Sequence, residues 1–323
     1  KNKIKSKNLK IYNNFDCFDK IYKNKIDYVM SSIVGLDGLK PTVEIIKFTK
    51  KIAIANKESI ICGWNFISNE LKKYSTQFVP VDSEHFSIWF GLKNKNSSGI
   101  NKVYITASGG SLLNVPKSKF SNLKLKKILK HPNWKMGKKI TLDSSTLMNK
   151  VFEVIEAKKI FNLKYSQIGI IIHPDSYVHA IIKYNNGMMK IIAHDTTMEI
   201  PIFNSIYENN LIKIKTKNIN FEKLNNLNLK KVDEKKFPLV KILKKLPLRN
   251  SLFETLIVSA NDTFVELFFK KKINYVDISK ELIKFVNRKE FKKLKKILPR
   301  NIFEVIKLSR NVRNKIIQNV YKI

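Results

Sequence analysis

The sequence contains few cysteines and no long uninterrupted apolar run. Cys17 and Cys62 are the two cysteines among 323 residues, and no CxxC pair occurs. This count excludes a disulfide framework or a zinc ribbon, and it favours a reducing compartment. Because no segment approaches about 18 consecutive apolar residues, no transmembrane helix is predicted.

Residues 1–10 are charged and lack an apolar segment, which argues against a secretory signal. They are rich in Lys and Asn, whereas organellar transit peptides are rich in Arg and Ser. We therefore predict a cytoplasmic, bacterial-type location, and a plastid-type organelle is less favoured.

Acidic residues are also scarce. The chain has 26 Asp and Glu against 62 Lys and Arg, a formal charge of +36. Such an excess is typical of proteins that bind nucleic acid or an anionic membrane. The lysines do not gather in one segment, however, and nucleic-acid-binding proteins concentrate their charge on one face. We favour mutational drift as the cause and predict neither a nucleic-acid nor a membrane partner. Attraction for phosphorylated substrates holds under both interpretations.

Apolar runs and helical periodicity alternate in the first third of the chain. The length favours two or three domains. Buried strands are predicted at residues 27–34, 51–55, 78–81 and 103–107. Helices are predicted from Pro41 to about residue 49 and over residues 64–73. This alternation of strands and helices is typical of a parallel sheet.

The pattern then changes twice. A helix is predicted over residues 145–161, with Asp143 and Ser144 as capping residues. Three β-rich runs follow at 168–173, 178–184 and 188–194, and Asn186-Gly187 predicts a hairpin turn between the last two. Residues 211–234 show weak periodicity and predict a linker. Helical spacing returns at 236–245, 252–271, 278–285 and 302–321, which predicts a C-terminal helical bundle.

The first candidate site is the segment Asp82-Ser83-Glu84. It follows the carboxyl end of a predicted strand, where open α/β sheets bind ligands. Carboxylates at i and i+2 in extended chain point to the same side. Their oxygens suit Mg²⁺ or Mn²⁺. The alternative is a solvated loop in which Asp82 caps the next helix.

The predicted helix after Ser144 carries a second candidate site. Asn149 and Glu153 lie at i and i+4 on one face, and Lys150 precedes Glu153 by three residues. Ser144 would lie at the helix N-terminus, where free N–H groups favour a phosphate. The alternative is a capped amphipathic helix with an intrahelical Lys–Glu pair.

Two loops carry further candidate residues. The turn Thr106-Ala107-Ser108-Gly109-Gly110 follows a strand, and its glycines let the backbone approach an anion. The loop from His131 to Gly137 contains Trp134 and Met136, which is typical of a lid over a ligand. The alternative is that Trp134 anchors this loop to the core.

The roles of single polar residues outside these segments are harder to predict. Lys57 follows the strand at 51–55, where it could neutralise a substrate or cofactor, although such a lysine is ordinarily exposed to solvent. His173, His179 and His194 lie in the hairpin region without Cys partners or HExxH spacing. We predict that these histidines are structural.

Six segments resemble, in order and spacing, the motifs of one enzyme family, the 1-deoxy-D-xylulose 5-phosphate reductoisomerases. They are VGLDGLKPT, IAIANKES, VPVDSEH, ITASGGS, HPNWKMGKKITLDSSTLMNKVFEVIEA and IIHPDSYVHAII. The resemblance runs from about Asp27 to the C-terminus, and the block beginning HPNWKMG is long enough to be highly specific.

The resemblance implies an α/β fold with a partial Rossmann-like NADPH-binding domain, an α+β catalytic and connective domain, and a C-terminal α-helical bundle. The corresponding boundaries are residues 1–82, 83–210 with a lid at 131–139, a linker at 211–235, and 236–323. The implied reaction is the NADPH-dependent and metal-dependent rearrangement and reduction of 1-deoxy-D-xylulose 5-phosphate to 2-C-methyl-D-erythritol 4-phosphate, an isoprenoid precursor of the non-mevalonate pathway. A homodimer formed through the β-rich section is also implied.

The resemblance further assigns roles to residues. The metal, Mn²⁺, Mg²⁺ or Co²⁺, would be held by Asp82, Glu84 and Glu153. The substrate phosphate would contact Ser108, Ser144, Asn149 and Lys150, and the rest of the substrate would contact Ser83, Lys57 and His131. Lys57, Glu84 and His131 would be catalytic. NADPH would contact Asn56, Glu58 and Gly137, and the lid would contain Trp134 and Met136.

The sequence departs from the family pattern in three places. No glycine-rich phosphate-binding turn precedes Asp27, so about two βαβ units, roughly 70 residues, are expected to be missing and activity of this chain alone is doubtful. Leu112-Leu113-Asn114 replaces the usual aromatic-Arg pair beside the phosphate site. Ser145 and Leu147 replace a small residue and a methionine, changes we expect to be tolerated. The competing hypotheses are an inactive relative that retains phosphate and metal binding, and a basic nucleic-acid-binding protein.

Overall fold

The structure is a computed structural model that describes residues 12, 15, 17–93, 99–207 and 212–321. Residues 1–10, on which the signal-peptide prediction rests, therefore lie outside the described part, as do the domain edges at 208–211 and 322–323. After a short helix α1 (Phe18–Ile21), three parallel strands form the first sheet in the order β1 (Ile26–Ser31), β2 (Thr49–Ile54) and β3 (Gln77–Pro80). Ile52, Ala53 and Ile54 are fully buried, as expected of a parallel strand covered on both faces.

Helices connect these strands, and the second begins earlier than predicted. Helix α2 (Leu39–Ile45) contains Pro41 in its first turn, and α3 (Lys57–Tyr74) follows β2 after two residues. The prediction of a start at residue 64 was wrong because Asn56 caps α3, its Oδ1 accepting the N–H of Ser59 at 2.5 Å. Lys57 therefore lies in the first turn of a helix rather than in a loop.

The second sheet has five strands in the order β7-β6-β4-β5-β8. Its strands are β4 (Ile100–Ala107), β5 (Ile168–Ile172), β6 (Val178–Tyr184), β7 (Met189–Ala193) and β8 (Lys230–Lys231). β4 and β5 are parallel, and the other pairs are antiparallel. The predicted hairpin between β6 and β7 is confirmed, with Gly187 at a φ of 87°.

The long helix predicted over residues 145–161 is two helices. The helices of this middle part of the chain are α4 (Ser83–Gly91), α5 (Leu125–Ile128), α6 (Lys138–Ser145), α7 (Met148–Ile160) and α8 (Glu199–Ile206). Leu147 adopts a left-handed φ of 59° and separates α6 from α7. Asp143 and Ser144 consequently lie in the last turn of α6, so the prediction that they cap the following helix was wrong.

The predicted linker is partly ordered. It contains α9 (Phe221–Asn225) and β8, whose Lys231 pairs with Ile171 of β5. The C-terminal helices are α10 (Leu252–Phe269), α11 (Tyr275–Val286) and α12 (Ile302–Tyr321), with 3-10 turns at Pro238–Lys245 and Lys289–Lys296. Across the residues that the structure describes, none of these helices combines the length and apolarity needed to cross a membrane.

One large hydrophobic core joins the first sheet to the C-terminal helices. It contains Leu39 of α2, Phe152 of α7 and Phe253 of α10, all almost completely buried. A second core lies between α4, β4 and β6 and includes Ile88, whose side chain is fully buried. The two cores meet at α7, and this helix therefore fixes one face of the cavity described next.

Candidate active site

A cavity of about 250 Å³ opens where β2, β3 and β4 end. The segments that follow these strands each supply residues to its wall, as expected of the carboxyl edge of an α/β sheet. Helix α7 and the loop at 131–139 close the other sides. The lining includes twelve of the predicted site residues: Lys57, Asp82, Ser83, Glu84, Ser108, His131, Trp134, Met136, Ser144, Asn149, Lys150 and Glu153.

Three carboxylates converge in this cavity. Oxygens of Asp82, Glu84 and Glu153 all lie within 4.8 Å of one another. The reasoning from extended chain was wrong, because Ser83 and Glu84 lie in the first turn of α4. Asp82 occupies the N-cap position of α4, yet its side chain makes no capping hydrogen bond there. Its carboxylate is therefore directed to the cavity, against the alternative of a simple cap.

Two lysines neutralise most of this negative charge. Lys57 Nζ lies 2.8 Å from Asp82 Oδ2 and donates to Asn149 Oδ1 at 2.6 Å. Lys150 Nζ donates to Glu153 Oε2 at 2.7 Å and also to Glu84 Oε1. Lys57 is thus not a solvent-facing lysine, whereas the intrahelical pair between Lys150 and Glu153 is confirmed. We call these five charged side chains the cavity cluster.

The cavity cluster shifts the pKa values of its members. Burial and the neighbouring Glu84 raise the pKa of Glu153 to about 8. Burial also opposes ionisation of Asp82, but the Lys57 ammonium outweighs it and lowers the pKa of that carboxyl. Three converging carboxylates offer the oxygen atoms that suit a divalent cation of the Mg²⁺ or Mn²⁺ type.

Two buried residues behind the three carboxylates, His85 and Glu156, were not predicted from the sequence. His85 is fully buried, and its Nε2 lies 2.9 Å from the backbone oxygen of Glu153. Its Nδ1 lies 3.6 Å from Glu156 Oε2, and burial raises the pKa of Glu156 well above its ordinary value. Helical spacing could have found both residues, since His85 follows Asp82 by three positions and Glu156 follows Glu153 by three.

Ser108 and His131 form a hydrogen-bonded pair on the opposite wall. His131 Nδ1 accepts the backbone N–H groups of Asn133 and Trp134 at 3.1 and 3.0 Å. The proton of the neutral ring must therefore be on Nε2, which donates to Ser108 Oγ at 3.0 Å. Burial and the nearby Lys150 lower the pKa of His131 to about 4. The ring is neutral near pH 7.

The glycine turn after β4 brings Ser144 to the cavity. Gly110 has a φ of 66°, and a Cβ atom there would lie 2.6 Å from the backbone oxygen of Ser144. A side chain at this position would push the end of α6 away. The close packing of Gly110 against the end of α6 therefore places Ser144 at the cavity. The prediction that Ser144 lies at a helix N-terminus was wrong, because it lies in the last turn of α6.

The loop at 131–139 packs against the hairpin region. The half-buried Trp134 meets His179 edge to face with ring centroids 6.0 Å apart, and His179 stacks on His194 at 3.7 Å. His179 also lines the cavity, and its assignment as a structural residue stays a prediction. His173 is structural, with Nδ1 2.6 Å from the backbone oxygen of Leu227 and Nε2 accepting the N–H of Tyr177.

Three residues predicted to contact NADPH, Asn56, Glu58 and Gly137, are not among the cavity-lining residues. The Asn56 amide donates to the backbone oxygen of Gly35 at 2.8 Å as well as capping α3. Glu58 is buried and receives a hydrogen bond from Lys139 at 2.7 Å. Gly137 precedes α6 and has open space on its Cα.

Glu58 belongs to a second, partly buried charge cluster next to the 131–139 loop. Lys139 Nζ lies 2.7 Å from Glu58, 2.9 Å from Asp262 and 3.6 Å from Asp143. Burial raises the pKa of Asp262 to about 6 despite Lys139. These four residues, the base cluster, join α3, α6 and α10.

A carboxylate cluster and paired lysines at the edge of a parallel sheet define a class of metal-assisted enzymes that act on small anionic substrates. Comparison with known proteins narrows this class. Residues 78–161 and 195–315 match two C-terminal domains of 1-deoxy-D-xylulose 5-phosphate reductoisomerase, and residues 1–63 match the family's reductoisomerase domain.

Whole proteins agree with these domain matches. The chain is 60% identical over 315 residues to the 1-deoxy-D-xylulose 5-phosphate reductoisomerase of Pelagibacter ubique, covering 97% of this chain and 81% of that protein. The homologue of a Sulfurihydrogenibium species is 34% identical over 90% of this chain and 76% of its own. The chain belongs to the 1-deoxy-D-xylulose 5-phosphate reductoisomerase family.

Solved structures of the family have the same fold. The Zymomonas mobilis reductoisomerase in complex with NADPH aligns with a TM-score of 0.81 at 25% identity, covering 96% of this chain and 79% of that one. A reductoisomerase in complex with NADPH, fosmidomycin and magnesium aligns with a TM-score of 0.79 at 28% identity, covering 93% and 77%. The α/β fold with a C-terminal helical part is thereby confirmed.

Proposed function

We propose that this protein converts 1-deoxy-D-xylulose 5-phosphate to 2-C-methyl-D-erythritol 4-phosphate, using NADPH and a divalent cation. The observation that carries this proposal is the cavity cluster, in which Asp82, Glu84 and Glu153 face Lys57 and Lys150. Its supporting context is a family whose solved members include complexes with NADPH and magnesium.

In this proposal Asp82, Glu84 and Glu153 hold Mn²⁺, Mg²⁺ or Co²⁺. When bound there, the ion would supply Lewis-acid polarisation of the carbonyl of the hydroxyketone. Glu153 is rigid because it is fully buried, and Asn149 donates to its Oε1 at 2.5 Å. Ser83 donates to Glu84 Oε2 at 2.7 Å, which fixes the second carboxylate. The ligand oxygens are therefore preorganised.

The phosphate of the substrate is proposed to lie between the glycine turn and the start of α7, where Ser108, Ser144, Asn149 and Lys150 line one wall. Asn149 and Lys150 lie in the first turn of α7, so the favourable end of that helix dipole faces the anion. A phosphate held away from the reacting carbons supplies binding energy that orients them.

Lys57, Glu84 and His131 are proposed as the catalytic residues, with Ser83 also contacting the substrate. His131 contributes a neutral Nε2–H donor, because its Nδ1 accepts two backbone N–H groups. It can therefore hydrogen-bond a substrate oxygen without adding a full charge. Lys57 would supply an ammonium group to the substrate in the same cavity.

Trp134 and Met136 are proposed as the lid. Both are half-buried over the cavity, and Trp134 rests on the His179 ring. Closure over the substrate would exclude water from the intermediate aldehyde.

When bound, NADPH would supply the hydride of the reduction. Asn56, Glu58 and Gly137 remain the proposed contacts. The Asn56 and Glu58 side chains already bond within the protein, so their contribution would come from the backbone around the start of α3. Gly137 has the space for close approach of a ligand.

We also propose the domain division at residues 1–82, 83–210, 211–235 and 236–323, with α9 and β8 as ordered parts of the linker. A homodimer is proposed through the second sheet, because β7 is its edge strand and exposes Met189 and Ile191. A cytoplasmic location, a phosphosugar substrate, and no nucleic-acid or membrane partner complete the proposal.

The test is NADPH oxidation followed at 340 nm with 1-deoxy-D-xylulose 5-phosphate and Mn²⁺ or Mg²⁺. It is run on this chain and on the chain joined to the part of the 60% identical relative that this chain does not cover. Turnover that stops with a chelator and produces 2-C-methyl-D-erythritol 4-phosphate is expected. Absence of product from both proteins with both metals would overturn the proposal in favour of an inactive relative.

A further inference from the structure

Lys150 bonds to the side chains that are proposed to hold the metal. Its Nζ donates to Glu153 Oε2 at 2.7 Å and to Glu84 Oε1, and so bridges two of the three carboxylates. The Lys150 side chain is 9% exposed and that of Glu153 is 1% exposed. An ammonium group held this closely in a buried place is a strong counter-ion.

The same lysine is also proposed to bind the substrate phosphate. It cannot serve both partners fully, because its three N–H donors are partly committed to the two glutamates. The carboxyl groups of Asp82, Glu84 and Glu153 offset the ammonium groups of Lys57 and Lys150, so the cavity cluster offers no net positive charge to an anion. A phosphate dianion entering the cavity in this state meets a lysine that is already occupied.

A divalent cation held by Glu84 and Glu153 would add positive charge to the cavity and would free Lys150 from the two glutamates. The carboxylate oxygens that receive the Lys150 hydrogen bonds are those available to coordinate a metal, and two cations compete for them. Release of Lys150 leaves a buried ammonium group without a partner, which is costly unless an anion replaces the glutamates. The first turn of α7 places Lys150 beside Asn149 on the proposed phosphate wall.

We propose that Lys150 is a positioning residue that couples the two ligands: it holds Glu84 and Glu153 until a divalent cation replaces it, and then turns to the substrate phosphate. This inference rests on the proposed function of the site. Coupling between two binding sites is reciprocal, so the cation should tighten phosphate binding by the factor by which phosphate tightens cation binding.

The wild-type test uses Mn²⁺ and methyl phosphate, a monoester without the hydroxyketone that could chelate the metal itself. Free Mn²⁺ is counted by electron paramagnetic resonance with and without methyl phosphate, and a protein-free titration corrects for their direct association. Methyl phosphate binding is measured by calorimetry with and without Mg²⁺. We expect coupling of at least about fivefold in both titrations. Independent binding would overturn the inference.

The variant Lys150→Gln distinguishes coupling through Lys150 from direct attraction between the cation and the phosphate. Without its competitor, Mn²⁺ alone should bind about tenfold tighter, while the effect of methyl phosphate on Mn²⁺ should fall below about twofold. Lys135→Gln is the matched control, because Lys135 lines the cavity but the described residues show no ion pair between it and the three carboxylates. This control should retain the wild-type coupling.

Unchanged coupling in Lys150→Gln, or its loss in Lys135→Gln, would show that general cavity charge is responsible. If Lys150→Gln does not fold, Lys150→Met replaces it, because the apolar stem is kept and the charge is removed. No turnover is measured in these titrations. An inactive protein that shows the coupling upholds the inference, and an active protein without it retains its proposed function.

Discussion

The protein contains two clusters of lysine and carboxylate side chains that are alike in chemistry and differ in surroundings. The cavity cluster lines an open cavity, whereas the residues of the base cluster lie between α3, α6 and α10 and do not line it. Both place cations among an excess of carboxylates. The two clusters differ in the space beside them more than in their residue types. A charge cluster next to an open cavity can exchange ligands, whereas one packed between helices holds those helices together.

The largest expected effect comes from removing a metal ligand in the cavity cluster. Glu153→Gln should leave the fold intact and lower kcat about 1000-fold, because a metal contributes several kcal/mol to such a reaction. Steady-state NADPH oxidation with Mn²⁺ measures this. The matched control is Glu156→Gln, one turn further along α7, where glutamine resembles a carboxyl whose pKa is raised by burial. Equal losses in both variants would remove the metal role of Glu153.

A substitution in the base cluster should lower the stability of the protein and leave its metal site unchanged. Lys139→Met leaves Glu58 and Asp143 without their cation and should lower the free energy of unfolding by about 2 kcal/mol, less than a fully buried pair because Lys139 is partly exposed. Urea denaturation measures this change. The affinity for Mn²⁺ should be unaltered, and a weakened affinity would break the distinction between the clusters. Lys244→Met, at an exposed pair with Glu234, should change stability by less than about 0.5 kcal/mol.

The lid should affect binding to a smaller extent. Trp134→Ala removes the contact with the His179 ring and should raise KM for the phosphosugar about tenfold, with a smaller change in kcat. Trp89→Phe, on a helix face outside the cavity, should leave KM unchanged. An unaltered KM in Trp134→Ala would support the alternative in which Trp134 merely anchors the loop.

The smallest effect concerns the protonation of His131. Its pKa is lowered to about 4, so its ring should stay neutral from pH 5.5 to 8 with the proton on Nε2. The unfolded chain binds this proton near pH 6.5, as an ordinary histidine does, so His131 destabilises the folded state as the pH falls from about 6.5 to 4. Nitrogen-15 spectra of the imidazoles, with His131→Gln for assignment, measure the ring state. A midpoint above pH 6 would contradict the lowered pKa, and a neutral ring with its proton on Nδ1 would contradict the tautomer.

Much of the fold could be predicted because its periodicity is local. The strand predicted at 178–184 and the helix predicted at 302–321 coincide with β6 and α12. The break between α6 and α7 had no such signal, because Leu147 takes a left-handed conformation that a glycine would normally mark. The two-residue strand β8 exists only through its pairing with β5, which no local pattern contains.

The candidate site divides in the same way. Asp82, Glu84 and Glu153 were found through motifs, and the structure brings their oxygens together. The pair between Lys150 and Glu153 follows from their spacing within α7. The ion pairs of Lys57 with Asp82 and of Lys150 with Glu84 depend on how α3, α4 and α7 meet, which spacing does not encode. The contact between Lys139 and Asp262 was invisible for the same reason, since it joins residues far apart in the chain.

The most direct measurement is a crystal structure of the protein grown with Mn²⁺ and methyl phosphate, with diffraction recorded at the manganese absorption edge. We predict one anomalous peak among the carboxylates of Asp82, Glu84 and Glu153, with Lys150 withdrawn from the glutamates and directed at the phosphate. No anomalous peak at this position, or a Lys150 that still bridges Glu84 and Glu153 beside bound phosphate, would contradict the exchange on which the cavity cluster is proposed to work.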